Sequence, residues 1–220
     1  MMLCCFALSP AITAIWLVIL ATCPEPDSDP DIKFKKPYRQ LANFRFVVIC
    51  LLVSVISQVA TYWVTESQKP LWLAYGSGVG VLVATDAVTT WLPNRLMHCS
   101  WGLCAAALAF EAIRASPQCL VEPLIGSLAL SAALWLAWRF GRNFGFGDVR
   151  LGIIVGALAG SGGFDFWWYS IILSAMTSCM WGLATLLWRR IHPSPLGKVF
   201  AYGPGMWLGP YLALATTTLV

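Results

Sequence analysis

Charge is scarce in this chain: only 11% of its 220 residues are Asp, Glu, Lys or Arg. A soluble domain typically carries about 25%. Histidine is scarcer still, with His98 and His192 far apart in the chain. The eight cysteines form no CxxC pair and mostly sit in apolar runs, where a free thiol behaves as a small hydrophobe. Zinc needs about four clustered ligands, so the expectation is no metal and no cofactor. A disulfide framework is equally unsupported. No block interleaves basic and aromatic residues as a nucleic-acid surface would. No internal repeat is visible, and no stretch fits a soluble domain.

What the chain does have is apolar length. Hydrophobic residues make up 59% of it, and the mean hydropathy is +0.73. A spanning helix needs about 20 apolar residues. Candidate segments run Leu3–Ala21, Phe46–Val64, Leu71–Leu92, Met97–Ile113, Leu120–Phe140, Val149–Gly163, Phe166–Trp188 and Gly205–Val220. The sixth and eighth are short. Pro, Gly and charge mark the breaks, as in "ESQKP", "LPNR", "RNFGFGD" and "RRIHPSPLGK". The expected fold is an all-α integral membrane protein, a polytopic helical bundle of about eight transmembrane helices. One membrane-embedded domain covers 1–220, with two helices and a short loop in 1–70 and the remainder in 71–220. The opening "MMLCCFALSP" has no Lys or Arg, so the first segment reads as a retained helix rather than a cleaved signal.

With eight helices, alternate loops share a side of the membrane. One side collects Lys33, Lys35, Lys36, Arg39, Arg45, Arg95, Arg139, Arg142, Arg150, Arg189, Arg190 and Lys198, twelve of the fourteen basic residues. The other side holds Lys69 and Arg114. The basic side is therefore expected to be cytoplasmic, with both termini outside.

The acids sort on the same map. Glu25, Asp27, Asp29 and Asp31 fall in the first cytoplasmic loop, Glu66 in an outer loop, and Glu111, Glu122 and Asp165 at or near outer helix ends. Two remain, at the cytoplasmic ends of apolar segments. Asp86 lies in "VLVATDAVTTWLPNRL", and Asp148 opens the segment in "RNFGFGDVRLGIIVGALAG". An acid at such a place is costly and is by default a functional suspect. Two carboxyls at one depth suit a dyad that shares a proton, because like charges a few ångströms apart do not both ionise easily. One carboxylate then acts as general base on a water. The other, protonated, polarises a carbonyl and donates to the leaving amine. Spacing alone leaves alternatives open: Asp148 as a helix N-cap, Asp86 as a polar contact in the bundle, or both as the proton or ion relay of a coupled transporter. A transporter commonly shows repeats.

Three motifs carry a resemblance. "GFGD", Gly145 to Asp148, with the helix after it, resembles the GxGD motif of the type IV prepilin peptidases. Asp86 followed by Pro93 and Asn94 is similar to the family's first aspartate and its "PN" step. "GKVFAYGPGMWLG", Gly197 to Gly209, resembles the segment in which an aromatic residue precedes Gly203 and Pro204 before the last helix. All three occur in the family's order, over roughly Leu71 to Val220. The resemblance implies a bacterial inner-membrane aspartic endopeptidase with Asp86 and Asp148 as the catalytic pair. Pro93, Asn94, Gly145, Gly147, Gly203 and Pro204 would support the motifs or bind substrate. The implied substrates are prepilins or pseudopilins, cut after a glycine at the cytoplasmic face, for pilus assembly or type II secretion. Membrane lipids are the other expected partners.

The chain departs from the family in its first loop. Many members carry a larger insert with paired CxxC motifs there and also N-methylate the product with S-adenosylmethionine. Here that loop, about Thr22 to Arg45, holds Cys23 alone, so methyltransferase activity is not expected. Ala201 stands where the family often has proline. Elsewhere, Gly145 and Gly147 leave the backbone free to approach a substrate strand. Gly152, Gly156 and Gly160 recur every fourth residue, which suits close helix packing. Trp91, Trp101 and Trp188 read as interfacial anchors. His98 reads as a polar helix-end residue. Ser161 in "GSGGF" faces the outer side with no histidine near, which argues against a serine nucleophile.

Overall fold

A computed structural model of the chain describes residues 2–25, 33, 35–141, 145–192 and 199–218. Among these residues all regular structure is helical. The order is α1 (Met2–Ala21), α2 (Tyr38–Leu41), α3 (Phe44–Ser57) continued by a 3₁₀ turn (Gln58–Tyr62), α4 (Lys69–Ala74), a π-helical turn (Tyr75–Val79), α5 (Gly80–Thr89), α6 (Asn94–Arg114), a 3₁₀ turn (Pro117–Leu120), α7 (Val121–Phe140), α8 (Phe146–Gly160), α9 (Gly163–Ile191) and α10 (Gly203–Thr218).

Six helical stretches among the described residues are long and apolar enough to cross a membrane: Leu3–Ala21, Phe44–Tyr62, Lys69–Thr89, Asn94–Arg114, Pro117–Phe140 and Gly163–Ile191. The chain is an all-α polytopic membrane protein. The two remaining segments, α8 and α10, have 15 and 16 residues. At 1.5 Å per residue they reach about 22 and 24 Å, short of a hydrocarbon core of about 30 Å. They are the two segments that the apolar runs mark as short.

Both short helices are packed tightly through small residues. A Cβ added at Gly156 or Gly160 of α8 would stand 2.5 Å from the carbonyl oxygens of Gly126 and Glu122 on α7. At Gly152 it would stand 2.5 Å from Leu134 Cδ1. The every-fourth-residue glycines thus form the α7 contact. The same logic joins α9 to α10. Ser170, Ser174 and Ser178 are buried on α9, and a Cβ at Gly205 or Gly209 would strike Ser178 or Ser174. Without a hydrophobic force between helices in lipid, this close approach and its hydroxyl bonds supply the adhesion. Ser174 Oγ donates to the Met206 carbonyl at 3.0 Å.

The stretch that carries Asp86 has a different support. α4, the π-turn and α5 form one span, buried along most of its length. Ser77, in the π-turn, donates to Ser9 Oγ at 3.1 Å. Ser9 is also hydrogen-bonded to Ser54 Oγ, which accepts from Thr13 at 2.7 Å. These hydroxyls tie α1 and α3 to the Asp86 span where water is absent and every polar group needs a partner.

Local signals set the ends. Asn43 Oδ1 accepts from the Phe46 N–H at 3.1 Å and starts α3. α5 stops at Thr90, the one non-glycine residue with positive φ (57°) among the described residues. A β-branched residue is strained there. Trp91, Leu92 and Pro93 then turn the chain into α6.

Candidate active site

The ends of four helices meet at one end of the bundle. Asp86 lies in the last turn of α5, Asn94 begins α6, Asp148 lies in the first turn of α8, and Val199 to Tyr202 lead into α10. Together they wall a cavity of about 410 Å³. Arg189, near the end of α9, donates to the Val199 carbonyl at the same end. Lys35, Arg95, Arg150 and Arg189 are therefore grouped here.

Both aspartates line this cavity, and both are nearly buried, with Asp86 4% and Asp148 7% exposed. Each is held by one backbone N–H. Asp86 Oδ2 accepts from Gly203 at 3.0 Å. Asp148 Oδ2 accepts from Gly145 at 3.3 Å, and the Asp148 N–H returns a bond of 3.1 Å to the Gly145 carbonyl. The second pattern is half of a capping box, since Gly145 has no side chain and its backbone carbonyl takes the return bond. Asp148 is therefore not the N-cap, which is Gly145, but the third residue of α8, and it lines the cavity as well.

The three motifs converge on the two carboxylates. Gly203 must be small: a Cβ there would lie 2.6 Å from Asp86 Oδ2. Gly147 backs onto Leu92, where a Cβ would lie 3.0 Å from Leu92 Cδ1. Gly145 is less confined, with 3.4 Å from its notional Cβ to Asp148 Oδ2. Pro93 is the residue before α6, and Asn94 Oδ1 accepts from Arg150 Nη1. Pro204 starts α10 next to Gly203 and is not among the cavity's walls.

Some residues behave otherwise than their positions in the sequence suggest. Trp91 is no interfacial anchor. It is 8% exposed, borders the cavity, meets Tyr38 edge-on at 5.8 Å and carries Lys35 Nζ 4.5 Å above its ring. Trp101 is half-buried and donates to the Arg150 carbonyl at 3.2 Å. Trp188 is exposed, as an anchor requires, and stacks on His192 at 4.2 Å. His98 is exposed and packs edge-on against Trp101. Ser161 sits at the far end of the bundle, where its carbonyl accepts from Gln68. In the sequence Arg150 stands out only as one of the basic residues of the charge map. Its placement two residues after Asp148, in an otherwise apolar helix, is the signal that marks it. The acidic residues Asp27, Asp29 and Asp31, with Arg142, Gly197 and Lys198, lie outside the described residues.

All eight cysteines are free thiols. Among the described residues no three His, Cys, Asp or Glu side chains come together as metal ligands. The cavity holds a pair of carboxylates, a guanidinium and backbone donors.

Fold and cavity define a class: a polytopic helical membrane protein with two buried acids at one end of its bundle. Within that class the chain is similar to the "Prepilin leader peptidase/N-methyltransferase" of Dickeya chrysanthemi, with 30% identity over 146 residues. The match covers 63% of this chain and 47% of the relative, so the chain spans about half the length of the curated relative it matches. This likeness supports the prepilin peptidase family. No family model and no solved structure matches the chain.

Proposed function

We propose that the chain is a prepilin leader peptidase, acting as one membrane-embedded unit and using Asp86 and Asp148 as an aspartic dyad. The observation that carries this reading is the convergence of three separated motifs on two buried carboxylates in one cavity. Asp148 lies at the N-terminal end of α8, where the helix dipole favours an anion. Asp86 lies at the C-terminal end of α5, where it does not. Asp148 is accordingly the base that takes a proton from the attacking water. Asp86 carries the shared proton, polarises the scissile carbonyl and passes the proton to the leaving amine. The peptide bond is cut by direct water attack, and no covalent enzyme intermediate forms.

The substrate is the leader of a prepilin or pseudopilin, cleaved at the cytoplasmic face of the inner membrane. The basic end of the bundle is the end that holds the cavity, which agrees with that side. A reporter fused after Val220 is then expected to read as exported. A cytoplasmic reading would reverse the orientation.

The direct test incubates the purified protein with a prepilin in detergent or vesicles and weighs the product. The expected product has lost its leader and carries a free N-terminal amine, even with S-adenosylmethionine present. An uncut substrate would overturn the peptidase reading. A mass gain of one methyl group would overturn the assignment of proteolysis alone.

A further inference from the structure

We propose that Arg150 is the positioning residue that sets the spacing of the two aspartates, clamped from both ends by one face of α6; this rests on the peptidase reading above. The guanidinium donates through Nη1 to Asn94 Oδ1. The carbonyl of the same residue accepts from the Trp101 indole at 3.2 Å. Asn94 and Trp101 are seven residues apart on α6 and so lie on one face. α6 therefore grips a single residue of α8 at two points. The Phe146 ring, with its centroid 4.9 Å from the guanidinium carbon, closes a further side.

The clamp joins the two arms that carry the dyad. On one arm the Asp86 carbonyl accepts from the Thr90 N–H at 2.7 Å, and Trp91 to Pro93 lead directly to Asn94. On the other arm Arg150 is two residues beyond Asp148 in α8. A carboxylate pair is productive only over a narrow range of separations, and misplacement by about 1 Å can cost about 10²-fold in rate. Apart from this clamp, the two arms touch where Gly147 backs onto Leu92, an apolar contact that leaves the register of the carboxylates to a polar tie. A guanidinium suits it, because it stays charged and offers donors in a rigid fork.

Cleavage of a prepilin by wild type, Asn94→Ala, Arg150→Met, Arg150→Lys and the Asn94→Ala/Arg150→Met double variant tests the clamp. Asn94→Ala and Arg150→Met are each expected to lower kcat about tenfold, with KM within about twofold, since an effect confined to kcat marks loss of transition-state alignment. The double variant should be no slower than the slower single variant, because both remove one bond. Arg150→Lys, which keeps a donor, should recover most of the rate. Multiplying effects in the double variant, or a raised KM at unchanged kcat, would overturn the proposal. Asn94→Ala carries the test if Arg150→Met does not fold. A wild type that cuts no prepilin sinks the peptidase reading instead. The clamp is then judged by distance between genetically encoded spin labels at positions 95 and 153. Arg150→Met should broaden that distribution, and an unchanged width would refute the clamp.

Discussion

The two aspartates occupy opposite kinds of site. Asp148 is held by its own turn: Gly145, three residues earlier, both donates to its carboxylate and accepts from its N–H. Asp86 is held by the backbone of Gly203, 117 residues further along the chain. One carboxylate is oriented by local geometry and the other by tertiary packing. The local one tolerates a looser neighbourhood, because a helix N-terminus provides several donors for a misplaced carboxylate. The tertiary one depends on α10 being docked, which in turn depends on Gly205 and Gly209 fitting against Ser178 and Ser174.

The largest expected effect removes that contrast altogether. Asp86→Asn and Asp148→Asn should each reduce cleavage by at least about 10²-fold, the span of general acid–base contributions, while membrane insertion stays normal. Product mass after timed incubation reads this. Substantial turnover by either variant would remove that residue from the mechanism and leave it a structural role alone.

A glycine series measures the contrast directly. Gly203→Ala places a methyl group 2.6 Å from Asp86 Oδ2, a separation that real side chains do not keep, so the carboxylate or α10 must move. We expect kcat to fall about 10–100-fold, by the cost of roughly 1 Å of misplacement. Gly147→Ala meets Leu92 at 3.0 Å. Leu92 borders the cavity and yields by a rotamer shift, so a loss of about three- to tenfold is expected, worth about 1 kcal/mol. Gly145→Ala stands at an ordinary 3.4 Å from Asp148 and should cost less than about threefold. Equal losses at all three positions would abolish the distinction between a local and a tertiary hold.

That ordering also shows how far the chain could be read before its fold was known. Asp86 and Asp148 were legible because an acid in an apolar run violates composition, and burial there carries a cost that demands a reason. The all-α membrane character was legible from apolar length, although six of the eight expected segments are long enough to span, and the close seam of α7 and α8 was legible from glycines at every fourth residue. Gly203 was legible only as part of a resemblance. The reason for it, an N–H aimed at Asp86, exists only once α5 and α10 are adjacent. Arg150 was hidden by the charge map, which treats every cation at a helix end alike. Trp91 was misread for a related reason. A tryptophan near a helix end usually faces the interface, but here Lys35 lies over the ring and Tyr38 packs edge-on against it. The π-turn at Tyr75–Val79 has no periodic signature, since all five residues of "YGSGV" are buried and no face is set apart.

The smallest expected effect concerns how substrate arrives. The cavity shares Trp91, Leu92 and Asn94 with a neighbouring groove that Glu25 and Arg95 also line. Glu25 opens the acidic run that continues through Asp27, Asp29 and Asp31. On the peptidase reading, a basic leader would approach an end of the protein dense in Lys and Arg, which would repel it. An acidic run that begins at Glu25 would offset that field and raise the encounter rate. Such steering acts on association and fades with salt, because screening sets in over about 8–10 Å at physiological ionic strength. Neutralising Glu25, Asp27, Asp29 and Asp31 to Gln and Asn should therefore raise the apparent KM for a basic-leader substrate about two- to fivefold at low salt, an electrostatic share of the encounter rate. At high salt the difference should vanish. Because Glu25 is not among the residues that line the dyad cavity and steering acts on association alone, kcat should stay near normal. An unchanged KM at low salt would reduce the loop to a linker whose lysines meet anionic headgroups. A collapse of kcat would mean instead that the loop completes the wall beside Trp91.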